Sequence, residues 1–332
     1  MELVAPIAVD AMGGDFAPGE IVAGARKAFE DGIPVMLVGR PEELGDVGDI
    51  PVLAASEVIA MDAEPGSSVR KLQDSSLVVA ARAVKDGRAS AMVSAGNTGA
   101  AMASALLKMG RLRGVGRPAI ATPIPRVGMQ PTILLDAGAN ADCRPEWVVQ
   151  FGQMGAVYAR YRFGVANPRV ALLSIGEEAG KGNEFVKEVF ELMKAVDWAG
   201  TCGSTFMGNA EGRDIMVDVA DVVVTDGFTG NIVLKTLEGG VKAIINALLA
   251  AFDTDDVSRA AANDLMPALL PLYETFSPDT YGGAMLLGVN GVCVISHGST
   301  RATAMRNAIG VAAEMVQADV VGHLGAAVAP AG

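Results

Sequence analysis

Short apolar runs alternate with longer segments of helical period along nearly the whole chain, and this alternation constrains the fold more than any other feature. Residues 170–175 are almost entirely apolar, and residues 221–226 contain three consecutive valines, as strands buried on both faces do. Residues 146–160 and 301–316 instead show helical spacing of apolar positions. Strands and helices that alternate in this way build a sheet with helices on both faces. The sequence therefore predicts an α/β fold with a large, mostly parallel sheet.

No linker divides the chain. Its 332 residues would allow about two domains, but no Pro/Ser-rich stretch or low-complexity block interrupts the alternation. We therefore expect residues 1–332 to form a single large α/β domain, with a helical excursion from the sheet around residues 253–278. Pro267 and Pro271 lie in this excursion and are expected to break any long helix there.

Composition and charge exclude several classes of protein. Hydrophobic residues make up 51% of the chain, which is enough apolar surface to offset chain entropy and to exclude a disordered protein. The 26 Lys and Arg residues against 38 Asp and Glu residues give a net charge of −12, so we expect no nucleic-acid partner. The three cysteines lie far apart, which excludes a disulfide framework and favours a reducing compartment.

The start of the chain has neither the basic region nor the apolar core of a signal peptide. The sequence also lacks a run of about 18 uncharged apolar residues, the length that a membrane-spanning helix needs. We therefore expect a cytoplasmic protein. Peripheral contact with the inner face of the membrane stays open as an alternative.

Small, polar, glycine-rich turns follow six of the predicted strands. They cover residues 10–15, 94–99, 136–142, 176–183, 225–231 and 296–300. Ligands bind outside the carboxyl ends of strands in α/β sheets, and helix N-termini bind anions. We therefore expect these turns to converge on a phosphate or oxyanion site. The alternative is that their Gly, Asn, Ser and Thr residues only shape turns and cap helices.

Other familiar sites are poorly matched. Residues 176–181 fall one residue short of a nucleotide P-loop, and Gly182 stands where Ser or Thr belongs. Two histidines in the whole chain do not make a His-rich metal site. Four turn acids are candidate Mg²⁺ ligands, with solvated turn residues as the preferred interpretation: Asp10, Asp15, Asp136 and Asp142. Cys143, beside Arg144, is a candidate nucleophile, with a packed thiol as the default.

One stretch of the chain is basic although the protein is acidic. Residues 87–135 contain no Asp or Glu. We predict that the cations at the centre of this stretch form a docking surface for an acidic partner. These cations are Lys108, Arg111, Arg113 and Arg117. The alternative is a solvated helix end that complements the helix dipole.

Seven motifs, in order along nearly the whole chain, match one known family. They are AVDAMGGDFAP (8–18), SAGNTGA (94–100), LDAGANADC (135–143), IGEEAGKGNE (175–184), EGRDI (211–215), VTDGFTGNIVLKTLEG (224–239) and YGGAMLLGVNG with SHGS (281–299). With them the sequence resembles the PlsX family, the phosphate acyltransferases of bacterial phospholipid synthesis. The resemblance implies a homodimer and a three-layer α/β/α sandwich with one large mixed sheet. That fold is similar to the isocitrate/isopropylmalate dehydrogenases and the phosphotransacetylases.

The resemblance also implies a reaction, in which acyl-[acyl carrier protein] and inorganic phosphate give acyl phosphate and free acyl carrier protein. We expect no cofactor and no metal. A membrane acyl-phosphate:glycerol-3-phosphate acyltransferase would take the product. Two positions depart from the family: Ile295 stands where members often carry Lys, and residues 253–256 are acidic where the excursion is often basic. The first departure puts one substrate cation in doubt, and the second an electrostatic membrane anchor.

This reaction needs positioning and oxyanion stabilisation more than acid–base help, because phosphate is already a nucleophile and a thiolate leaves readily. We expect His297 to donate to the thioester oxygen or the departing sulfur, and Lys181 to offset the phosphate charge. Asp226 or Glu177 would orient a donor. The expected phosphate and substrate contacts are Asn97, Thr98, Asn140, Asn183, Thr229, Gly230, Asn231 and Ser299.

Three other functions stay open at this point. A phosphotransacetylase that acts on acyl-CoA would have similar turns. A dehydrogenase of the isopropylmalate type would need a nucleotide cradle and clustered metal acids. A dimeric scaffold that recruits the carrier protein to the membrane would bind without turnover.

Overall fold

The computed structural model describes residues 3–328. The strands are β1 (Ile7–Asp10), β2 (Val35–Gly39), β3 (Val52–Ala54), β4 (Ala91–Ser94), β5 (Ala119–Ile124), β6 (Thr132–Leu135), β7 (Arg169–Leu173), β8 (Thr205–Ala210), β9 (Val222–Val224), β10 (Ala284–Leu287) and β11 (Val292–Ile295). The helices are α1 (Gly19–Glu30), α2 (Pro65–Lys71), α3 (Ser76–Lys85), α4 (Thr98–Lys108), α5 (Pro145–Phe163), α6 (Glu184–Ala195), α7 (Trp198–Cys202), α8 (Gly227–Phe252), α9 (Asp256–Phe276), α10 (Ala302–Gln317) and α11 (Val320–Ala327). Short 3₁₀ helices cover Pro41–Glu43, Gly212–Met216 and Pro278–Tyr281.

All eleven of these strands belong to one mixed sheet, in the order β3-β2-β1-β4-β11-β10-β5-β6-β9-β7-β8. The first five strands of this order are mutually parallel, and so are the last four. The two strands between them, β10 and β5, are antiparallel to both of their neighbours. The predicted α/β fold with a large, mostly parallel mixed sheet is confirmed.

The two parallel blocks of the sheet point in opposite directions, because three antiparallel pairings separate β11 from β6. The carboxyl ends of β1, β4 and β11 therefore lie at one edge, and those of β6, β7 and β9 at the opposite edge. Strands of four residues are about 13 Å long. The six glycine-rich turns therefore lie at two opposite edges, and the expectation that they converge on one site is wrong for the set as a whole.

Helices cover both faces of the sheet, and each face has its own core. Side chains alternate along the strands, so that Ile7 and Val9 of β1 pack into one core and Ala8 into the other. Helices α1, α5, α6, α10 and α11 cover the first face. Helices α3 and α4 and the beginning of α8 cover the second. This arrangement is the predicted three-layer sandwich.

The prediction that prolines break any long helix in residues 253–278 is wrong. Pro267 and Pro271 lie inside α9, which packs against α8. A proline leaves the carbonyl oxygen four residues earlier without its backbone donor. For Pro267 this oxygen belongs to Asn263, which is exposed, so that water can replace the lost donor. Among residues 3–328, no helix is long and apolar enough to cross a membrane.

Candidate active site

The turns after β1, β4 and β11 form one group, which we call the first turn cluster. The three strands are neighbours in the sheet. The amide of Asp15 donates a hydrogen bond to the Gly298 carbonyl at 2.7 Å, and the amide of Ser296 donates to the Ser94 carbonyl at 2.8 Å. Backbone bonds thus fix the three turns relative to one another.

A buried carboxyl group lies at the base of the first turn cluster. Asp10 is 2% exposed, and its Oδ2 accepts a hydrogen bond from Ser94 Oγ at 2.7 Å. Burial raises the pKa of Asp10, although the hydrogen bonds that its carboxyl group accepts oppose the shift. A Cβ atom at Gly13 would lie 2.5 Å from Asp10 Oδ2 and 2.8 Å from the Gly96 amide. Only glycine therefore allows the chain to fold over this carboxyl group.

The β11 turn presents two of the predicted site residues to solvent. Its ends are tied together, because Ser296 Oγ lies 2.7 Å from Thr300 Oγ1 and the Thr300 amide donates to the His297 carbonyl at 3.0 Å. His297 and Ser299 are exposed between these ties. The turn therefore holds an imidazole and a hydroxyl group on a fixed backbone.

Helix α4 begins beside this turn, and Asn97 is its N-cap. Asn97 Oδ1 accepts a hydrogen bond from the Ala100 amide at 2.9 Å. Its Nδ2 donates to the carbonyls of Met61 at 2.8 Å and Ala63 at 3.1 Å. The side-chain amide is thus fully used within the protein. At this helix end, the groups that face an anion are the first backbone amides, beginning at the exposed Thr98.

The turns after β6 and β9 form the second turn cluster, at the other edge of the sheet. Asp136 is fully buried. Its Oδ1 accepts hydrogen bonds from the amides of Ile120, Gly138 and Ala139, and its Oδ2 from the backbone and side-chain amides of Asn140. Burial raises the pKa of Asp136, and these hydrogen bonds oppose the shift. The carboxyl group therefore shapes the turn and is closed off from a substrate.

Asp226 joins the second turn cluster to helix α8. Its Oδ1 accepts a hydrogen bond from the Thr229 amide and its Oδ2 one from Thr229 Oγ1, both at 2.8 Å. The Gly227 amide donates to the Asn140 carbonyl at 2.8 Å. Gly230 lies so close to Asp136 that a Cβ atom there would overlap its carbonyl oxygen. Asn231 extends toward Gly138, so that Asn140, Asp226, Thr229, Gly230 and Asn231 are brought together.

Helix α8 connects the two clusters. It begins at Gly227, and eleven residues later Glu238 Oε1 lies 3.6 Å from His297 Nε2. Eleven residues of α-helix span about 17 Å. A substrate that reaches from one cluster to the other would therefore lie along this helix.

A third group follows β7. Glu177, Lys181 and Asn183 are exposed in this loop. Asn183 Oδ1 accepts a hydrogen bond from the Val186 amide at 2.9 Å and caps α6, and Glu177 Oε1 lies 3.4 Å from the Arg213 guanidinium. Within residues 3–328, no hydrogen bond or ion pair joins this loop to the His297 turn. Lys181 and His297 are thus not brought together.

The geometry favours neither a metal site at the predicted acids nor a nucleophilic role for Cys143. The acidic cluster that the described part of the chain offers consists of Glu177, Glu211 and Asp214, and the Arg213 guanidinium lies 2.6 Å from Glu211 among them. None of the four acids predicted as Mg²⁺ candidates belongs to it. Burial raises the pKa of Cys143 to about 11, which disfavours the thiolate that a nucleophile needs.

The predicted docking cations differ in whether their side chains are hydrogen-bonded within the protein. Lys108 Nζ donates to Gln73 Oε1 at 2.6 Å, and burial lowers its pKa, with repulsion from nearby cations adding to the shift. Arg111 donates to the carbonyls of Val115 and Gly116. These two cations therefore hold the segment together, whereas the guanidinium groups of Arg113 and Arg117 are exposed.

Arg117 extends this basic surface to a second segment of the chain. Its guanidinium carbon lies 5.2 Å from the centre of the Trp147 ring, and that of Arg144 lies 5.7 Å from the same ring. Asn140 Nδ2 donates to the Pro118 carbonyl at 2.8 Å. The surface formed by Arg113, Arg117 and Arg144, which we call the basic surface, therefore adjoins the second turn cluster.

The sequence patterns did not indicate three charged residues that lie near the first turn cluster. They are Lys235, Glu238 and Arg301. Arg301 lies 4.2 Å from the centre of the Phe16 ring and 3.7 Å from Glu20. Their positions in the motifs could have identified them. Lys235 and Glu238 lie near the end of the 224–239 motif, and Arg301 comes shortly after the Ser-His-Gly turn.

Comparison with known proteins identifies consistent relatives. Residues 5–323 match the family model described as "Fatty acid synthesis protein". A phosphate acyltransferase of Desulforudis audaxviator is 48% identical over 323 residues, 96% of this chain and 94% of the relative. One from Heliobacterium modesticaldum is 46% identical over 325 residues, 95% of each chain.

Solved structures show the same fold at low sequence identity. The EutD phosphotransacetylase from Staphylococcus aureus has a TM-score of 0.62 at 14% identity, with 94% of each chain covered. A phosphotransacetylase from Streptococcus pyogenes has a TM-score of 0.61 at 18% identity, also with 94% of each chain covered. The predicted likeness to phosphotransacetylases is therefore confirmed at the level of the fold.

Proposed function

The chain belongs to the fatty acid synthesis protein family, the phosphate acyltransferases that the PlsX resemblance indicated, and from this premise we propose that it transfers the acyl group of acyl-[acyl carrier protein] to inorganic phosphate. The protein is an acyltransferase, which excludes a dehydrogenase and a scaffold without turnover as its primary role. The product, an acyl phosphate, supplies glycerol-3-phosphate acylation at the membrane in phospholipid synthesis.

The basic surface is the observation that favours acyl-[acyl carrier protein] as the acyl donor. Arg113, Arg117 and Arg144 are exposed on a protein with a net charge of −12. Acyl carrier proteins of this type are acidic, so that complementary charge steers them toward this surface. The neighbouring second turn cluster then receives the arm that carries the thioester, and α8 leads from there toward His297.

The chemistry requires little more than positioning. Holding phosphate and thioester in line supplies roughly 7–11 kcal/mol, and one oxyanion donor supplies roughly 3–4 kcal/mol. The backbone amides at Thr98 hold phosphate at the N-terminus of α4, and Ser299 contributes a hydroxyl group from the turn after the neighbouring strand β11. His297 donates to the thioester oxygen or to the departing sulfur.

The remaining predicted residues support this reaction from the other edge of the sheet. Asn140, Thr229, Gly230 and Asn231 shape the second turn cluster around the arm, and Asp226 holds the start of α8. Lys181 is exposed in the β7 loop and adds positive charge at this edge of the sheet, whereas phosphate binds at α4 on the opposite edge. Glu177 and Asn183 maintain the shape of that loop through Arg213 and α6.

We assign the protein to the cytoplasm, as a homodimer that associates through α8 and α9. Both helices expose large apolar side chains, including Ile244, Leu248, Val257 and Leu265, and apolar patches of this kind mark interaction surfaces. Residues 253–276 carry five acids and one arginine. That balance disfavours contact with an anionic membrane surface and favours a second copy of the chain as the partner.

Release of free carrier thiol from palmitoyl-[acyl carrier protein], with and without inorganic phosphate, tests the proposed reaction. Hydroxylamine in the assay converts acyl phosphate to a hydroxamate. We expect release that depends on phosphate and gives hydroxamate. Phosphate-independent release would identify a thioesterase, and faster turnover of palmitoyl-CoA than of the carrier thioester would identify a phosphotransacetylase of acyl-CoA. Either result contradicts the proposal.

A further inference from the structure

We infer that Glu238 is a positioning residue that keeps the side-chain proton of neutral His297 on Nε2 and leaves Nδ1 as the atom that works on the substrate. The part of this inference that concerns catalysis rests on the proposed function. The part that concerns the protonated nitrogen rests on the geometry alone and is tested separately.

Contacts fix the carboxylate from one side. Glu238 Oε1 lies 3.6 Å from His297 Nε2, and its other oxygen, Oε2, accepts a hydrogen bond from Lys235 Nζ at 2.8 Å. Lys235 and Glu238 are three residues apart on α8 and therefore share one face of the helix. The lysine holds the carboxylate in the rotamer that faces the imidazole.

Backbone hydrogen bonds fix the turn that carries the imidazole. The His297 carbonyl accepts from the Thr300 amide at 3.0 Å, and the carbonyl of Gly298 accepts from the Asp15 amide at 2.7 Å. The backbone of the turn that carries His297 is therefore held in place, and the Glu238 carboxylate faces the ring from α8. A carboxylate that faces Nε2 favours the tautomer with the proton on that nitrogen, because a carboxylate only accepts.

The contact between Glu238 and His297 orients the imidazole more than it stabilises the folded protein. The His297 side chain is 44% exposed and that of Glu238 33% exposed, and ion pairs between exposed groups contribute little to folding. A separation of 3.6 Å is longer than a hydrogen bond. Contacts of catalytic groups in free enzymes are often long and shorten when the substrate binds. The pair therefore acts when the ligand excludes water from it.

With Nδ1 free to accept, His297 has no proton to give to the thioester oxygen before the attack, and its proposed role narrows to the departing sulfur. As an oxygen of hydrogen phosphate attacks the carbonyl carbon, its proton moves to Nδ1. The carbon–sulfur bond then breaks, and the same proton passes from Nδ1 to the departing sulfur. The products are acyl phosphate and the carrier thiol, and the imidazole returns to its starting form. Glu238 stabilises the imidazolium that exists between the two transfers.

Nitrogen NMR of ¹⁵N-histidine-labelled protein tests which nitrogen carries the proton. The sequence has two histidines, and a His323→Gln variant assigns the signals. We expect His297 Nε2 at the protonated shift and Nδ1 at the unprotonated shift at a pH where the ring is neutral. Glu238→Ala should give a mixture of the two tautomers. Protonated Nδ1 in the wild type, or an unchanged spectrum in Glu238→Ala, overturns the inference whatever the activity of the enzyme.

Kinetics test the consequence for catalysis. Glu238→Ala should lower kcat about 10- to 100-fold with little change in the KM for phosphate, because the group acts in the transition state. Glu238→Gln, whose amide oxygen still accepts a bond, should recover part of this loss. Glu191→Gln, an exposed acid on α6, is the matched control and should retain full kcat.

The outcomes separate the two proposals. A normal kcat in Glu238→Ala alongside a large loss in His297→Gln would overturn the positioning role and leave the proposed function in place. Full activity in His297→Gln would instead remove His297 from the mechanism. The melting temperature of each variant shows whether any loss of activity reflects unfolding.

Discussion

Asn97 shows how differently two neighbouring residues in one turn are used. Its side chain caps α4 and holds the carbonyls of Met61 and Ala63, so that its amide is committed to the protein. Thr98, one residue later, is exposed at the start of the helix. A side chain named by a sequence motif can thus serve the site by shaping the backbone, while a neighbouring backbone amide meets the ligand.

Gly230 is a residue whose lack of a side chain holds the second turn cluster together. A Cβ atom there would overlap the carbonyl oxygen of Asp136. An alanine at this position would therefore force the backbone of one of the two turns to move. We expect Gly230→Ala to lower the free energy of unfolding by about 1–3 kcal/mol. Chemical denaturation followed by circular dichroism measures this.

Gly310→Ala is the control for that substitution. Gly310 also lies within a helix, α10, but apart from the adjoining backbone of that helix no atom lies within 4 Å of its Cβ position. Alanine there should raise the free energy of unfolding by about 0.5–1 kcal/mol, because glycine is a poor helix former. Equal effects of the two substitutions would show that the close approach at Gly230 does not exist.

Asp10 should give stability a measurable dependence on pH. Burial raises its pKa above the ordinary value of 3.8, so that between the two values the native state binds more protons than the unfolded state. The stability that this group contributes is therefore fully present below pH 3.8 and is lost as the pH rises through the native pKa.

The Asp10→Asn variant removes this dependence. We expect the wild type to gain stability relative to the variant as the pH falls from about 7 to about 4, in urea titrations at several pH values. Asp49→Asn, in an exposed loop, is the control. Parallel stability profiles for the wild type and Asp10→Asn would contradict the assignment.

At the scale of elements, the basic surface combines two segments that the sequence keeps apart. The Trp147 ring of α5 lies 5.2 Å from the guanidinium carbon of Arg117 and 5.7 Å from that of Arg144. We expect Arg113→Glu and Arg117→Glu together to raise the KM for acyl-[acyl carrier protein] about 10-fold, because each reversal replaces an attraction with a repulsion. Activity on a small thioester should be unchanged. Steady-state kinetics on the two substrates measures both effects.

Arg88→Glu provides the matched charge reversal. Arg88 is exposed and lies in the same stretch without acids, but outside the basic surface. It should leave both KM values close to those of the wild type. If it raises the KM for the carrier substrate as much as the double variant does, overall charge and not this surface recruits the carrier protein.

Element boundaries were predictable where apolar runs are strong, and strand direction was not. The patterns predicted the six strands that the glycine-rich turns follow, which are β1, β4, β6, β7, β9 and β11, but missed β3, β5, β8 and β10. Hydrophobic periodicity carries no information on direction, and it is β5 and β10 that reverse the sheet. The two-edged distribution of the turns therefore could not be predicted. The pairing of Glu238 with His297 was equally hidden, because it depends on where α8 crosses the sheet.

At the scale of the whole molecule, one continuous sheet with a core on each face supports the proposal that residues 1–332 form a single domain. Helices α8 and α9 extend from it with much of their apolar surface uncovered. Ile244 is 64% exposed and Leu248, one helical turn away, 49% exposed. Burial of such side chains against a second copy would be favourable by about 25 cal/mol per Å² of apolar area.

Ile244→Glu together with Leu248→Glu should therefore convert the proposed homodimer into a monomer, because two charges would be buried without partners at the interface. Sedimentation equilibrium should give the mass of two chains for the wild type and of one chain for the variant. Leu192→Glu, at an exposed apolar position of α6, should remain dimeric. A wild type that sediments as a single chain and floats with anionic vesicles would instead assign the apolar faces of α8 and α9 to the membrane.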